Sequence, residues 1–120
     1  FLCDPNNFDC ANSPETTSIV QYRDPFGFKS LISGTIPPEI LTLTQLTVLN
    51  VGKTRISGTI PKELANLPLI ELDLGFNSIS STIPKELASL PLTRLVIEYN
   101  HIRGTIPKEL GDLPLTELNF

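Results

Sequence analysis

Aliphatic residues recur along this chain at a fixed spacing, and the spacing predicts the architecture. Four segments share a pattern with apolar residues at the first, fourth and sixth positions: Leu46–Val51, Leu69–Leu74, Leu92–Ile97 and Leu115–Phe120. In three of the four segments the last three residues alternate apolar, polar and apolar, as in a short β-strand that buries one face. Because the pattern returns once per copy, we expect the strands to stack side by side as a parallel sheet.

The segments between these strands also repeat. Each carries Thr-Ile-Pro, in which Thr and Ile favour an extended backbone and Pro ends it. The last three copies continue with Lys-Glu-Leu-x-x-Leu, whose leucines are spaced for one helical turn that faces inward. The isoleucines are 24, 23 and 23 residues apart, at Ile36, Ile60, Ile83 and Ile106. A fixed period of this size is typical of a solenoid, in which each unit buries its apolar edge against its neighbours.

Polar residues recur between each strand and the following Thr-Ile-Pro. Asn77 and Asn100 occupy equivalent places there, with Thr54 one repeat earlier. We predict that the asparagines form a structural ladder that satisfies backbone groups at the bend, and that they are not catalytic amides. The threonines of Thr-Ile-Pro should form a column on a second, shorter strand surface: Thr35, Thr59, Thr82 and Thr105.

The full repeat resembles a known family. It reads Leu-x-x-Leu-x-Leu-x-x-Asn-x-Ile-x-Gly-Thr-Ile-Pro-x-Glu-Leu, and over roughly residues 31–120 it is similar to the plant and algal type of leucine-rich repeat. Receptor ectodomains and polygalacturonase-inhibiting proteins contain this type. The resemblance implies an α/β-type repeat solenoid, a right-handed superhelix with a parallel β-sheet on the concave face and short helical or 3-10 turns on the convex face. It divides the chain into an N-terminal cap at 1–30 and about four repeats at 31–120, the last incomplete.

The two cysteines, Cys3 and Cys10, lie before the first repeat. Two thiols and the distant His101 cannot supply the four ligands of a zinc site, so a disulfide within the cap is favoured over a metal. A disulfide predicts an oxidising compartment, either extracellular and secretory or an organelle lumen. The chain begins at Phe1 and not at Met, which indicates a removed targeting segment or a fragment.

Composition excludes several classes of function. The net charge of −4 provides no basic patch for a phosphate backbone, so we do not expect nucleic acid as a partner. Polar residues interrupt every apolar run before it reaches the roughly 18–20 residues that a membrane span needs. We expect no cofactor, since there is no glycine-rich phosphate loop and no metal-ligand cluster.

Outward positions on the predicted sheet differ between repeats, whereas inward positions are conserved from one repeat to the next, so recognition is expected on this face. Phe76 and Tyr99 occupy equivalent positions in adjacent coils, which places their rings about 5 Å apart. They are either interface anchors or a shield for the sheet edge. Seven residues form the candidate binding surface: Lys53, Glu71, Asp73, Phe76, Arg94, Glu98 and Tyr99.

Charges on the same face allow two interpretations. Arg94 is flanked on neighbouring strands by Glu71 and Glu117, so pairing across the strands of a solvated face is favoured over a specific electrostatic footprint. Glu71 and Asp73 would lie about 7 Å apart, a separation that a pair of glycosidase carboxylates could use. Nothing in the sequence builds a deep pocket around these carboxylates, so we do not predict an enzyme.

Two main functions follow from these observations. The first is a non-catalytic recognition module that uses the concave surface to bind a protein or peptide, with a cell-wall glycan as a further possibility. The alternative is a small structural or accessory subunit of a larger extracellular or lumenal assembly. In that case a partner, or further chain, would cover the open last coil near Leu115, Leu118 and Phe120. Ice binding through the threonine column is a remote alternative.

Overall fold

The computed structural model describes residues 17–20 and 33–120. The predicted cap at 1–30, with its proposed disulfide between Cys3 and Cys10, lies almost wholly outside the described residues. The elements alternate between short strands (β) and 3-10 helices (η): β1 Ser18–Val20, β2 Ser33–Thr35, η1 Pro38–Thr42, β3 Val48–Asn50, β4 Arg55–Gly58, η2 Lys62–Asn66, β5 Glu71–Asp73, β6 Ser78–Ile79, η3 Lys85–Ser89, β7 Arg94–Val96, η4 Lys108–Asp112 and β8 Glu117–Asn119.

The main sheet contains five parallel strands in the order β1-β3-β5-β7-β8. Its register advances by one repeat per strand, so that Leu49 pairs with Leu72 and Leu72 pairs with Leu95. These three leucines are completely buried, whereas their neighbours along each strand face outward. The periodicity therefore predicted both the parallel sheet and its buried face correctly. The outward residues of successive strands consequently lie side by side in rows.

A second parallel sheet contains three strands in the order β2-β4-β6. The predicted threonine column on this surface is only partly correct. Thr35 lies in β2, but Thr59 and Thr82 come after β4 and β6, and within the described residues no strand of this sheet is present in the coil of Thr105. The preceding glycine does not account for the difference, since Gly34 before Thr35 and Gly58 before Thr59 are both left-handed, with φ of 92° and 81°. All four threonines are exposed.

The turns on the opposite side are single-turn 3-10 helices and not α-helices. In η2 the N–H of Leu64 donates to the carbonyl of Pro61 at 3.1 Å, and the same bond joins Leu87 to Pro84 in η3 at 3.2 Å. Each helix has five residues, and η2, η3 and η4 are followed within two residues by another proline, which leaves no room there for an α-helix to propagate. Leu64 and Leu87 point into the core and are completely buried.

The core is one aliphatic column between the two sheets and the 3-10 helices. It consists of Leu, Ile and Val side chains from every coil between residues 36 and 110. Because each coil contributes equivalent residues, the column holds neighbouring strands in register and fixes the outward rows on which a site can be built. None of the helices in residues 17–20 and 33–120 is both long enough and apolar enough to cross a bilayer.

Candidate functional site

The outer face of the main sheet has an ion-paired centre. Arg94 on β7 donates through Nε to Oε2 of Glu117 at 2.7 Å and through Nη1 to Oδ2 of Asp73 at 2.9 Å. Glu71 lies in register with Arg94, but the arginine forms its second ion pair with Asp73, which corrects the expected flanking pair of Glu71 and Glu117. The diagonal neighbour is within reach because the arginine side chain is long.

The environment of Arg94 maintains its charge. Partial burial disfavours the charged form, but hydrogen bonds and attraction from Glu117 and Asp73 outweigh it and raise the pKa of Arg94 above its ordinary value. The three side chains together carry one negative charge. They form a fixed feature of the surface, since two of the three are less than a third exposed.

Glycines make room for the residues at the centre of the face. A Cβ at Gly52 would lie 2.7 Å from Oδ1 of Asp73, and a Cβ at Gly75 would lie 3.0 Å from Cγ1 of Val96. The same Oδ1 accepts the N–H of Gly75 at 3.0 Å, which fixes the carboxylate for Arg94. Val96 lies in register with the outward Asp73 but is buried. The centre of the face is therefore packed, and the accessible groups lie around it.

Three bend residues form a stack beside this centre. Lys53, Phe76 and Tyr99 follow β3, β5 and β7, and all three have left-handed backbones with φ of 59°, 57° and 53°. The rings of Phe76 and Tyr99 are stacked with centroids 4.3 Å apart and planes inclined by 17°. Nζ of Lys53 lies 5.1 Å from the centroid of Phe76, within the range of a cation–π contact. We call these three residues the bend stack.

The bend stack is exposed. Phe76 is 41% exposed and Tyr99 is 69% exposed. A left-handed backbone costs a residue with a Cβ about 1–2 kcal/mol, and glycine avoids this cost. Phe76 and Tyr99 therefore occupy positions where glycine would avoid a backbone cost.

Asn77 fixes the backbone directly after Phe76. Its Nδ2 donates to the carbonyls of Val51 and Leu74, at 3.0 Å each. Its Oδ1 accepts the N–H of Ile56 at 3.0 Å and the hydroxyl of Thr54. One buried amide thus joins two successive coils at the bend.

Asn100 makes equivalent bonds one coil later. Its Nδ2 donates to the carbonyl of Leu74 at 2.9 Å, and its Oδ1 accepts the N–H of Ile79 at 2.9 Å. Since each asparagine immediately follows a ring of the bend stack, the two amides hold Phe76 and Tyr99 in position.

One residue at the leading edge of the sheet departs from its equivalents. Threonine precedes four of the five strands, and hydroxyls of this row donate to the carbonyl one coil earlier, as from Thr47 to Thr17 at 3.1 Å and from Thr116 to Thr93 at 3.0 Å. Ile70 precedes β5, cannot donate in this way and is 40% exposed. Ile70 was not identified as a candidate from the sequence. The signal was visible there, because the other three repeats have threonine at the equivalent position: Thr47, Thr93 and Thr116.

The remaining candidates lie around these features. Glu71 and Glu98 are half-buried and, among the described residues, neither forms an ion pair. Leu118 and Phe120 are exposed and Leu115 is half-buried. Residues 17–20 and 33–120 contain no cluster of three or more His, Cys, Asp or Glu side chains suited to a metal ion.

The opposite side of the molecule carries a shallow groove of about 440 Å³ between η2 and η3. Its lining alternates in charge, with Lys62 and Glu63 on one coil and Lys85 and Glu86 on the next. Lysines and glutamates in such alternation are typical of a solvated surface.

Comparison with known proteins identifies the repeat. The family model described as Leucine Rich Repeat matches residues 45–67, 68–90 and 91–113. No curated protein sequence matches the chain.

Solved structures with the same architecture include three receptor ectodomains. The plant peptide hormone receptor RGFR1 in complex with RGF2 is 30% identical, with a TM-score of 0.80 over 98% of this chain and 18% of the receptor. The Arabidopsis receptor kinase HAESA, in complex with the peptide hormone IDA and the co-receptor SERK1, is 34% identical, with a TM-score of 0.76 over 98% of this chain and 19% of the receptor. The ectodomain of the receptor kinase SOBIR1 from Arabidopsis thaliana is 27% identical, with a TM-score of 0.80 over 92% of this chain and 58% of that chain.

Proposed function

Because the chain belongs to the leucine-rich-repeat family, we propose that it is a non-catalytic recognition module that binds a protein or peptide on the outer face of its five-stranded sheet. The binding surface comprises the bend stack, the acidic residues Glu71, Asp73 and Glu98 beside it, and Arg94, which pairs with Asp73. The module acts outside the cell, in the compartment that a receptor ectodomain occupies.

The bend stack is the observation that carries this proposal. An aromatic pair contributes about 0.5–1.5 kcal/mol beyond its area burial, and the left-handed backbone under each ring costs about 1–2 kcal/mol. Because Tyr99 is 69% exposed, its burial on folding offsets little of this cost, so folding alone gives little reason for Tyr99. Rigid, exposed aromatic rings are the side chains most often found as energetic anchors of interfaces.

The organisation of the surface supports the same function. The asparagine ladder fixes the bend stack and the ion pairs of Arg94 fix the adjacent carboxylates, so a partner would meet a surface that is already ordered. Preorganised groups lose little conformational entropy when they bind.

The structural neighbours support a peptide or protein as the partner. Two of the three receptors described above were solved with peptide hormones, RGF2 and IDA, and one of them with a co-receptor as well. This chain spans 18% and 19% of those two receptors. A protein or peptide partner is therefore proposed from the surface of this chain together with its similarity to these receptors. We do not propose that this chain binds RGF2 or IDA.

Selection from a random peptide library displayed on phage tests the proposal. Peptides enriched on the wild-type chain are measured by fluorescence anisotropy against the double variant Phe76→Ser and Tyr99→Ser. We expect affinity to fall at least about tenfold, since each anchor commonly contributes more than 1 kcal/mol. Ile106→Ser is the matched control, because Ile106 is an exposed aliphatic residue away from the bend stack, and it should leave affinity unchanged.

Equal affinity for the wild type and the double variant would remove the assignment to this surface. Circular dichroism must show that both variants remain folded. The accessory-subunit alternative predicts instead that the natural protein migrates within a larger particle in native mass spectrometry, with the bend stack or the last coil inaccessible to a partner. Ice binding would appear as thermal hysteresis that is lost in Thr59→Val.

A further inference from the structure

We infer that the face between Ile70 and Phe76 selects an extended, basic peptide segment with an apolar residue towards each end. The segment would lie along β5, with one apolar residue against Ile70, the other against the bend stack and its basic group over the carboxylates between them. This inference rests on the proposed function and specifies the chemistry of its partner.

Ile70 provides the first apolar contact. Its equivalents before the neighbouring strands are Thr47 and Thr93, whose hydroxyls donate to the carbonyl one coil earlier. Ile70 gives up this hydrogen bond and leaves an aliphatic side chain 40% exposed, so the scaffold does not account for it. Threonine and isoleucine are both β-branched, and the strand backbone accommodates either. Isoleucine in place of threonine at this position therefore changes the surface without changing the fold.

The spacing of the two apolar sites sets the length of the ligand. Ile70 immediately precedes β5, and Phe76 follows the end of β5 by three residues. Six positions of nearly extended chain span about 15–20 Å. An extended ligand therefore needs roughly five to seven residues to contact both sites.

The charge between the two sites favours a basic ligand. Glu71 and Glu98 have no ion pair among the described residues, whereas Asp73 is already paired with Arg94. A Lys or Arg of the ligand would therefore pair with Glu71 or with Glu98 without disrupting an existing pair. An anionic partner, such as nucleic acid or an acidic glycan, would meet repulsion on this face.

The selected peptides themselves test the inference. We expect the peptides that require Phe76 and Tyr99 to be enriched in Lys or Arg at the centre, with apolar residues on both sides. The strongest binder is then measured against Ile70→Thr and Glu71→Gln, each of which should weaken binding about five- to tenfold. Glu86→Gln on the opposite side removes the same charge and should have no effect.

The salt dependence separates the charged contribution from the apolar one. Raising the ionic strength should weaken binding to the wild type, because salt screens the attraction between Glu71 and the basic residue of the peptide. The effect on Glu71→Gln should be smaller, because this variant lacks that charge pair. Ile70→Thr should retain the full salt dependence with lower affinity at every ionic strength.

Failure of the inference differs from failure of the proposed function. Peptides that depend on Phe76 and Tyr99, but lack basic residues and bind Ile70→Thr and Glu71→Gln as tightly as the wild type, would overturn the inference alone. If no enriched peptide depends on Phe76 and Tyr99, the proposed function fails and the inference fails with it.

Discussion

Replacement of Asn77 by alanine tests whether the amide ladder holds the bends together. The substitution removes a side chain that is 9% exposed and bonded to two successive coils. The N–H of Ile56 loses its 3.0 Å acceptor, and the hydroxyl of Thr54 loses one of its two acceptors. The bend after β5 then has no buried amide of its own.

The expected loss of stability depends on which backbone groups keep a second hydrogen-bond partner after the substitution. The carbonyl of Leu74 still accepts from Asn100 at 2.9 Å, and the carbonyl of Val51 still accepts from the hydroxyl of Thr54 at 3.1 Å. The N–H of Ile56 retains a weaker contact to the same hydroxyl, at 3.3 Å. With net hydrogen bonds at about 1 kcal/mol and one poorly satisfied buried donor, we expect a loss of about 2–4 kcal/mol.

Urea unfolding followed by circular dichroism measures this loss. Asn100→Ala is the internal comparison, because its side chain is only half-buried and water can replace part of its bonding, so it should cost less than Asn77→Ala. Asn66→Ala, at an exposed position at the end of η2, should be close to neutral. A loss below about 1 kcal/mol for Asn77→Ala, or an equal or larger loss for Asn100→Ala, would refute the reasoning about the ladder.

Two further predictions concern single positions. Gly52→Ala should destabilise the protein by about 1–3 kcal/mol in thermal unfolding, because the new Cβ would lie 2.7 Å from Oδ1 of Asp73. Gly111→Ala is the control and should be neutral or slightly stabilising, because a Cβ there would have no atom within 4 Å. Equal effects of the two substitutions would contradict this account. Tyr99→Gly should be neutral or stabilise by up to about 1 kcal/mol, since it relieves a left-handed backbone and removes a ring that is 69% exposed; a large loss would show that the ring supports the fold.

The repeated residues made the scaffold predictable from the sequence. Leu49, Leu72 and Leu95 recur with their neighbours in register, and a buried face every second residue leaves only one way to stack such strands. The proline before each Lys-Glu-Leu segment likewise predicted a short helical turn. Local spacing determined these features, and no contact between distant residues was needed to infer them.

The details of the binding face depend on contacts that spacing does not encode. Arg94 lies in register with Glu71 but pairs diagonally with Asp73, because the reach of the side chain decides the partner. Val96 is buried although it alternates with inward residues, and the strand that was expected to carry Thr59 ends one residue earlier, at Gly58. These outcomes depend on side-chain packing and backbone torsion in three dimensions.

Mapping a bound peptide by NMR tests the central claim most directly. The strongest peptide from the selection is titrated into the isotopically labelled chain, and the amide shifts are followed residue by residue. We predict that the largest changes fall on Ile70, Glu71, Phe76 and Tyr99, with the 3-10 helices at Lys62–Asn66 and Lys85–Ser89 unaffected. Changes concentrated on those helices, with the bend stack unperturbed, would contradict recognition by the outer face of the five-stranded sheet.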